Sequence, residues 1–188
     1  MEYMGDKAYW DEKFKNRGKK AMDAEESLVE NLDILQPGSV LDVACGDGRN
    51  SLFLAKKDFD VTAIDFSEKA LERLRAFADE EGLRINTAKT DLSKNEAIQA
   101  LGMFDNIVVN HYRPDKRLIQ ELKNHLREGG IFFISGFGEG HEPDVKVRKE
   151  DLITSTDFEE MKTSFDLIKF EEKQDDRGYF VTYVFRRK

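Results

Sequence analysis

Residues 41–51 read LDVACGDGRNS: an apolar run, a turn with glycines at 46 and 48, and the polar start of a helix. A strand that passes through a glycine turn into a helix brings backbone close to a ligand at the carboxyl end of a sheet, where open α/β folds bind small molecules. What the turn lacks narrows the ligand. It has no Lys followed by Ser or Thr, so the phosphate cradle of an NTPase is excluded. A dinucleotide fingerprint would carry a third Gly or Ala at position 51, which is Ser51 here. Asp42 and Asp47 would also place negative charge where a dinucleotide brings its pyrophosphate.

Outward from this turn, strands and helices alternate. Strands are predicted over 39–44 (SVLDVA), 60–65 (DVTAID), 84–89 (RINTAK), 104–110 (FDNIVVN) and 131–137 (IFFISGF), the last a continuous apolar run suited to a strand covered on both faces. A helix over 49–57 follows the turn. The next carries Ala70, Leu71, Leu74, Phe77 and Ala78, with Ser67 as N-cap and Gly82 as its stop. A further helix carries Leu118, Ile119, Leu122 and Leu126, ended by Gly129 and Gly130. Strands alternating with helices imply a doubly wound, parallel α/β sheet. The tail departs from this: SFDLIKFEEK and YFVTYVFRR flank QDDRG as an antiparallel hairpin with Gly178 in its turn, which brings the sheet to seven strands. Residues 179–185 are apolar on both alternate faces, so this strand is predicted inside the sheet beside the fifth. At the start of the chain, Ala21, Ala24, Leu28, Leu32 and Leu35 recur at spacings of three and four. This predicts a helix that Pro37 and Gly38 stop.

At 188 residues the chain suits one domain, with neither an internal repeat nor a low-complexity linker. No apolar run approaches the roughly 20 residues needed to span a bilayer, so no membrane role is expected. The first eighteen residues show no secretory pattern, and the single Cys45 forms no internal disulfide; the expected location is the cytoplasm. A net charge of −8 disfavours nucleic acid, whose binding draws on Lys and Arg. A small-molecule substrate is expected and no metal. Nothing in the sequence sets an oligomeric state.

Acids at the lip of the turn suit a cationic ligand without phosphate, and S-adenosylmethionine, with its sulfonium and ammonium groups, is one. Asp65 closes the second strand at the distance where a carboxylate takes ribose hydroxyls, or caps the following helix. VLDVACGDGRNSLFLAKKDFDVTAIDFS resembles the first two motifs of class I S-adenosylmethionine-dependent methyltransferases, and in particular the small tellurite-resistance methyltransferase group. The resemblance extends to YWDEKF, LREGGIFFISGF and, more weakly, the closing hairpin. It implies a Rossmann-like methyltransferase fold with its last strand inserted between the fifth and sixth. It also implies an N-terminal helical lid segment over 1–36 of the same domain, and a methyltransferase domain over 37–188. Ala44, Gly46 and Gly48 would pass beneath the methionine part of the cofactor, with Asp42 and Arg49 beside them and Arg49 able to meet the carboxylate. Asp65 would hold the ribose, Phe66 would lie against the adenine, and Asp91 and the backbone of Leu92 would contact the adenine edge. Asp91 as a plain turn residue is the alternative. Trp10, next to Tyr9, would belong to the lid, or else simply dock the N-terminal helix. Cys45 fills the place of a small turn residue.

Methyl transfer from a sulfonium is an in-line displacement that positioning can accelerate. The substrate-facing stretch is then NHYRP, 110–114: Asn110 faces the cofactor, and His111 with Tyr112 are the catalytic candidates. His111 would take a proton or orient the acceptor, or else serve as a hydrogen-bonded structural residue. Arg113 is expected to pair with Asp115, and His141 in the polar loop after the fifth strand to be solvated. The expected reaction is methyl transfer to a thiol, a metalloid oxyanion or a small metabolite. The alternatives are a non-catalytic S-adenosylmethionine-binding protein of the same fold and, further off, a nicotinamide-dependent oxidoreductase.

Overall fold

The computed structural model describes residues 7–94 and 98–188. In chain order the elements are α1 (Lys7–Asn16), α2 (Glu26–Val29), β1 (Ser39–Val43), α3 (Arg49–Ala55), β2 (Asp60–Asp65), α4 (Glu68–Glu80), β3 (Ile85–Lys89), β4 (Phe104–Asn110), α5 (Lys116–Asn124), β5 (Leu126–Phe137), β6 (Phe165–Asp175) and β7 (Gly178–Arg187). One seven-stranded sheet runs β3-β2-β1-β4-β5-β7-β6. The first five strands are parallel, and β7 enters antiparallel between β5 and β6. The strand order reverses at β1, and Val43 pairs with both Ile64 and Val109 there. The carboxyl ends of β1, β2 and β4 therefore lie side by side at the switch point, where such sheets open a crevice.

Period-two patterning explains why the sheet is covered twice. Leu41, Val43, Val109, Phe132 and Ile134 pack on one face, with Leu118 and Leu122 of α5; Val40, Val61, Val108, Ile131 and Phe133 pack on the other, with Leu74 of α4. In β7, Phe180 to Phe185 are all buried, as a doubly apolar strand inside the sheet must be. Asp175 accepts a 2.7 Å hydrogen bond from the Arg177 amide, and Gly178 takes a φ of +142°, which closes the β6–β7 hairpin. Ser67 caps α4 by accepting from the Ala70 amide at 3.3 Å, and Gly82, at φ +66°, follows its end.

Two elements depart from the sequence expectation. The N-terminal region is not one helix: α1 and α2 are separate, and Leu32–Ile34 forms a 3₁₀ turn. Gly18 lies in the break after α1, and the Asn31 side chain takes the Ser27 carbonyl while bonding Glu171 across the fold. The spacing of three and four came from short turns that bury Leu28 and Leu35 against the same core, not from a continuous face. Leu126 is the second departure. It opens β5 opposite Phe104, and the register then jumps to Ile131 opposite Asn106. Gly129, at φ +73°, lets the strand bend across that jump, so the glycine pair shapes β5; α5 has already ended at Asn124.

Candidate active site

The turn after β1 holds three left-handed residues: Ala44 at φ +55°, Gly46 at +57° and Gly48 at +85°. Two glycines accommodate this freely, whereas Ala44 costs about 1–2 kcal/mol. The turn is tied to the neighbouring strand. Cys45 donates its amide to the Ile64 carbonyl at 3.0 Å, and Gly46 donates to Asp65 at 2.9 Å. Asp65 also accepts from the Ser67 amide at 2.9 Å. Burial pushes the Asp65 carboxyl above its ordinary range, against these two bonds. A turn built for pyrophosphate aims its amides at the ligand; here the Gly46 amide is committed to Asp65. Gly48 serves packing, since a Cβ there would overlap the Leu74 side chain of α4.

The acidic lip carries less free charge than the sequence implies. Asp42 is buried beneath the turn and accepts a 2.6 Å bond from Ser51, and burial pushes its carboxyl up to about 7. Asp47 is buried between Arg17 at 2.6 Å and Arg73 at 3.2 Å. Repulsion of a pyrophosphate by two bare carboxylates is thus replaced by a different obstacle, the occupied Gly46 amide. Burial also raises the Cys45 thiol pKa, with Asp42 and Asp65 adding to the effect, which keeps it a poor nucleophile.

Over the carboxyl ends of β1, β2 and β4 lies a cavity of about 590 Å³. Trp10, Asp42, Ala44, Gly46, Arg49, Asp65, Phe66, Asp91, Leu92, Asn110, His111 and Tyr112 all line it; Gly48 and Tyr9 do not. Asn110 is 9% exposed, and neither its Nδ2 nor its Oδ1 has a hydrogen-bond partner among the described residues. A buried, unpaired amide in a cavity wall suits a ligand that offers both a donor and an acceptor. His111, next along the chain, holds φ +53°, and its amide donates to the Ser135 carbonyl at 2.9 Å. Strained backbone at Ala44 and His111, on adjacent strand ends of one cavity, is the pattern of a functional site. Burial raises the Tyr112 pKa.

Helix α1 roofs this cavity. Phe14 is buried against Gly46, where a Cβ would come within 3.0 Å of its ring, and Trp10 stacks on Phe14 at 5.6 Å. Asp11 accepts from Ser67 at 2.6 Å, Arg17 holds Asp47, and Lys7 pairs with Asp91. That last contact pulls the Asp91 carboxyl down to about 2, helped by Ser93. Asp91 also accepts from the Ser93 amide at 3.1 Å, so the turn role is real, and it coexists with a place on the cavity wall.

Several site residues carry no local sequence signal. Glu25, 4% exposed in the N-terminal segment, contacts Arg49 of α3, His111 just after β4 at 2.7 Å and Arg177 of the hairpin turn at 3.1 Å. Burial alone would raise its carboxyl; the hydrogen bond to His111 and the nearby cations hold it down at about 2. Arg49, expected to meet a ligand carboxylate, therefore already holds one. Phe180 lines the cavity with Phe137, Val147 and Ile153. Arg113 does not pair with Asp115, which instead caps α5 through the Leu118 amide at 2.7 Å. It forks onto Asp157 and donates to the Glu150 carbonyl at 2.7 Å, because that carboxylate is buried and the Asp115 carboxylate is exposed. His141 is half-buried rather than solvated, 4.4 Å from the Phe137 ring, and accepts from the Tyr179 amide at 3.3 Å. No cluster of three potential metal ligands occurs among the described residues, and none of their helices is long and apolar enough to cross a membrane.

Comparison with known proteins gives the family of the chain. The family model described as "Tellurite resistance protein TehB" matches residues 3–177. A curated relative, the "Probable S-adenosyl-L-methionine-dependent methyltransferase TehB" of Haemophilus influenzae, is 32% identical over 110 residues, covering 57% of this chain and 38% of its own. A "Ubiquinone biosynthesis O-methyltransferase" of Rickettsia canadensis is 29% identical over 114 residues, 58% of this chain and 47% of its own. The chain thus spans less than half the length of these relatives. The crystal structure of TehB from Haemophilus influenzae superposes with a TM-score of 0.69 at 24% identity, over 96% of this chain and 66% of that one, and shares the fold. Matched by the family model over nearly its whole length, the chain belongs to the tellurite resistance protein TehB family.

Proposed function

We propose that the chain is an S-adenosylmethionine-dependent methyltransferase acting on a small molecule. The observation that carries this reading is the unpaired amide of buried Asn110 in the wall of the cavity that also holds the β1 glycine turn and Asp65. Asp42, Ala44, Gly46 and Arg49 would border the aminoacyl end, Asn110 would bond it, Asp65 would hold the ribose, and Phe66, Asp91 and Leu92 would border the adenine. One relative of this chain is named "Probable S-adenosyl-L-methionine-dependent methyltransferase TehB" and another an O-methyltransferase, which supports the assignment. When bound, the cofactor supplies an activated methyl group, and the protein's share is to orient the acceptor and exclude water. His111 and Tyr112 sit on the acceptor side as the catalytic candidates. We assign α1 and the following turns, up to residue 36, to a lid of the same domain, with 37–188 as the methyltransferase domain; residues 1–6 of the lid lie outside those described. Aromatic packing of Trp10 on Phe14 over Gly46 supports the lid role.

The net charge of −8 favours a small acceptor over nucleic acid, and we place the protein in the cytoplasm on its composition. Calorimetric titration with S-adenosylmethionine should give micromolar-range binding that Asp65→Ala abolishes. Transfer of a labelled methyl group to a panel of thiols, phenols and metalloid oxyanions then separates an enzyme from a binding protein. Absence of cofactor binding in the unaltered chain would overturn the proposal.

A further inference from the structure

We propose that Glu25 is a positioning residue that holds His111 as proton acceptor for a protic methyl acceptor, a hydroxyl or a thiol. This rests on the methyltransferase reading above. The geometry is specific. Glu25 Oε1 lies 2.7 Å from His111 Nε2, and the carboxylate is almost wholly removed from solvent. Arg49 approaches the same carboxylate from α3 and Arg177 from the β6–β7 turn, so its negative charge is compensated on two further sides. With its carboxyl held at about 2, Glu25 is ionised throughout the physiological range. An ionised carboxylate only accepts hydrogen bonds, so the hydrogen between the two groups belongs to Nε2. Neutral imidazole carries one N–H, which leaves the lone pair on Nδ1.

The rest of the pocket holds this ring in place. The His111 backbone is fixed at φ +53° by its bond to Ser135, and the ring meets Phe180 edge-on at 5.5 Å and Phe137 at 6.0 Å. Val147 and Ile153 add apolar lining to the same cavity. In such surroundings a fixed proton acceptor is more effective than one in water. The step balances: as the acceptor oxygen or sulfur gains the methyl group, its O–H or S–H bond breaks and the proton passes to Nδ1 of His111. The sulfonium ends as a neutral thioether, and its positive charge reappears on the imidazolium. A tertiary amine, a thioether or a fully deprotonated oxyanion would need no such base.

Long-range ¹H–¹⁵N spectra of the labelled full chain test this directly, because it holds three histidines and His111→Gln assigns the relevant signals. Neutral His111 should show the Nε2–H tautomer alone. In Glu25→Gln, whose amide can donate or accept, both tautomers should appear, and transfer to a phenol or thiol should fall ~100-fold in Glu25→Gln and His111→Gln. A mixed or Nδ1–H tautomer in the unaltered protein overturns the assignment, and this measurement needs no variant to fold. Transfer undiminished in His111→Gln overturns the base role. Failure to bind S-adenosylhomocysteine alongside a locked tautomer would defeat the methyltransferase reading, and with it the role in transfer, while leaving the Glu25–His111 pairing in place.

Discussion

The Ser51 hydroxyl donates a 2.6 Å hydrogen bond to the buried carboxylate of Asp42, across the turn that separates β1 from α3. Position 51 is where a dinucleotide fold places Gly or Ala so that helix and strand can pack closely. This chain uses the position to satisfy a buried acid instead.

Replacing Ser51 by Ala should therefore destabilise the fold by about 1–3 kcal/mol, the cost of leaving a buried acceptor unpaired. Urea denaturation at pH 7.5 measures it. A neutral or stabilising effect would mean that Asp42 finds another donor.

Asp42 also sets a pH dependence. Its carboxyl rises from an ordinary 3.8 to about 7 on folding, so the folded state binds the proton more tightly than the unfolded one. A raised acid contributes stability that is complete below pH 4 and is lost as pH climbs through 7. Asp42→Asn should match the parent near pH 4 and exceed it by roughly 4–4.5 kcal/mol at pH 8, at about 1.4 kcal/mol per pKa unit over the rise from 3.8 to about 7. Parallel stability curves across this range would contradict the raised pKa.

Gly48 at φ +85° faces the Leu74 side chain of α4. Gly48→Ala should cost about 2–4 kcal/mol through combined backbone strain and overlap. Adding Leu74→Ala should recover part of that loss, so the two changes are non-additive in a double-mutant cycle. Strict additivity would show that backbone strain acts alone.

Asp47 joins the residue that follows α1 to α4, through Arg17 and Arg73. Asp47→Asn should loosen the roof of the cavity, and Trp10, the single tryptophan, reports it. We expect stronger acrylamide quenching of Trp10 in the variant, and a loss of stability of about 3 kcal/mol from leaving two arginines without their buried partner. Unchanged quenching would place the anchorage of α1 in its remaining contacts, Asp11 with Ser67 and Lys7 with Asp91.

Arg113 forks onto buried Asp157 and is thereby committed to structure. Arg113→Leu should lower thermal stability while leaving the affinity for S-adenosylhomocysteine within about twofold, since its hydrogen bonds and ion pair run to Asp157 and Glu150 and to none of the residues assigned to the cofactor. A large loss of affinity with unchanged stability would return Arg113 to the ligand.

What the sequence determined by itself is what short-range pattern encodes. Strand alternation, the Ser67 cap, the glycine turn and the doubly apolar β7 depend on residues within a few positions of each other, so the sheet and the place of the cavity were legible. Asp65, Asn110 and Asp91 could be named because each sits at a strand end, where topology alone brings it to the crevice. Only the tertiary structure decided which charges meet. Glu25 lies 152 positions from Arg177, Asn31 lies 140 from Glu171, and Arg113 reaches 44 residues ahead to Asp157, passing over an acid two residues away. Coulomb attraction falls slowly with distance and has no periodicity, so partner choice follows burial and three-dimensional proximity. For the same reason the acidic lip foreseen at Asp42 and Asp47 proved to be one protonatable buried acid and one acid enclosed by arginines.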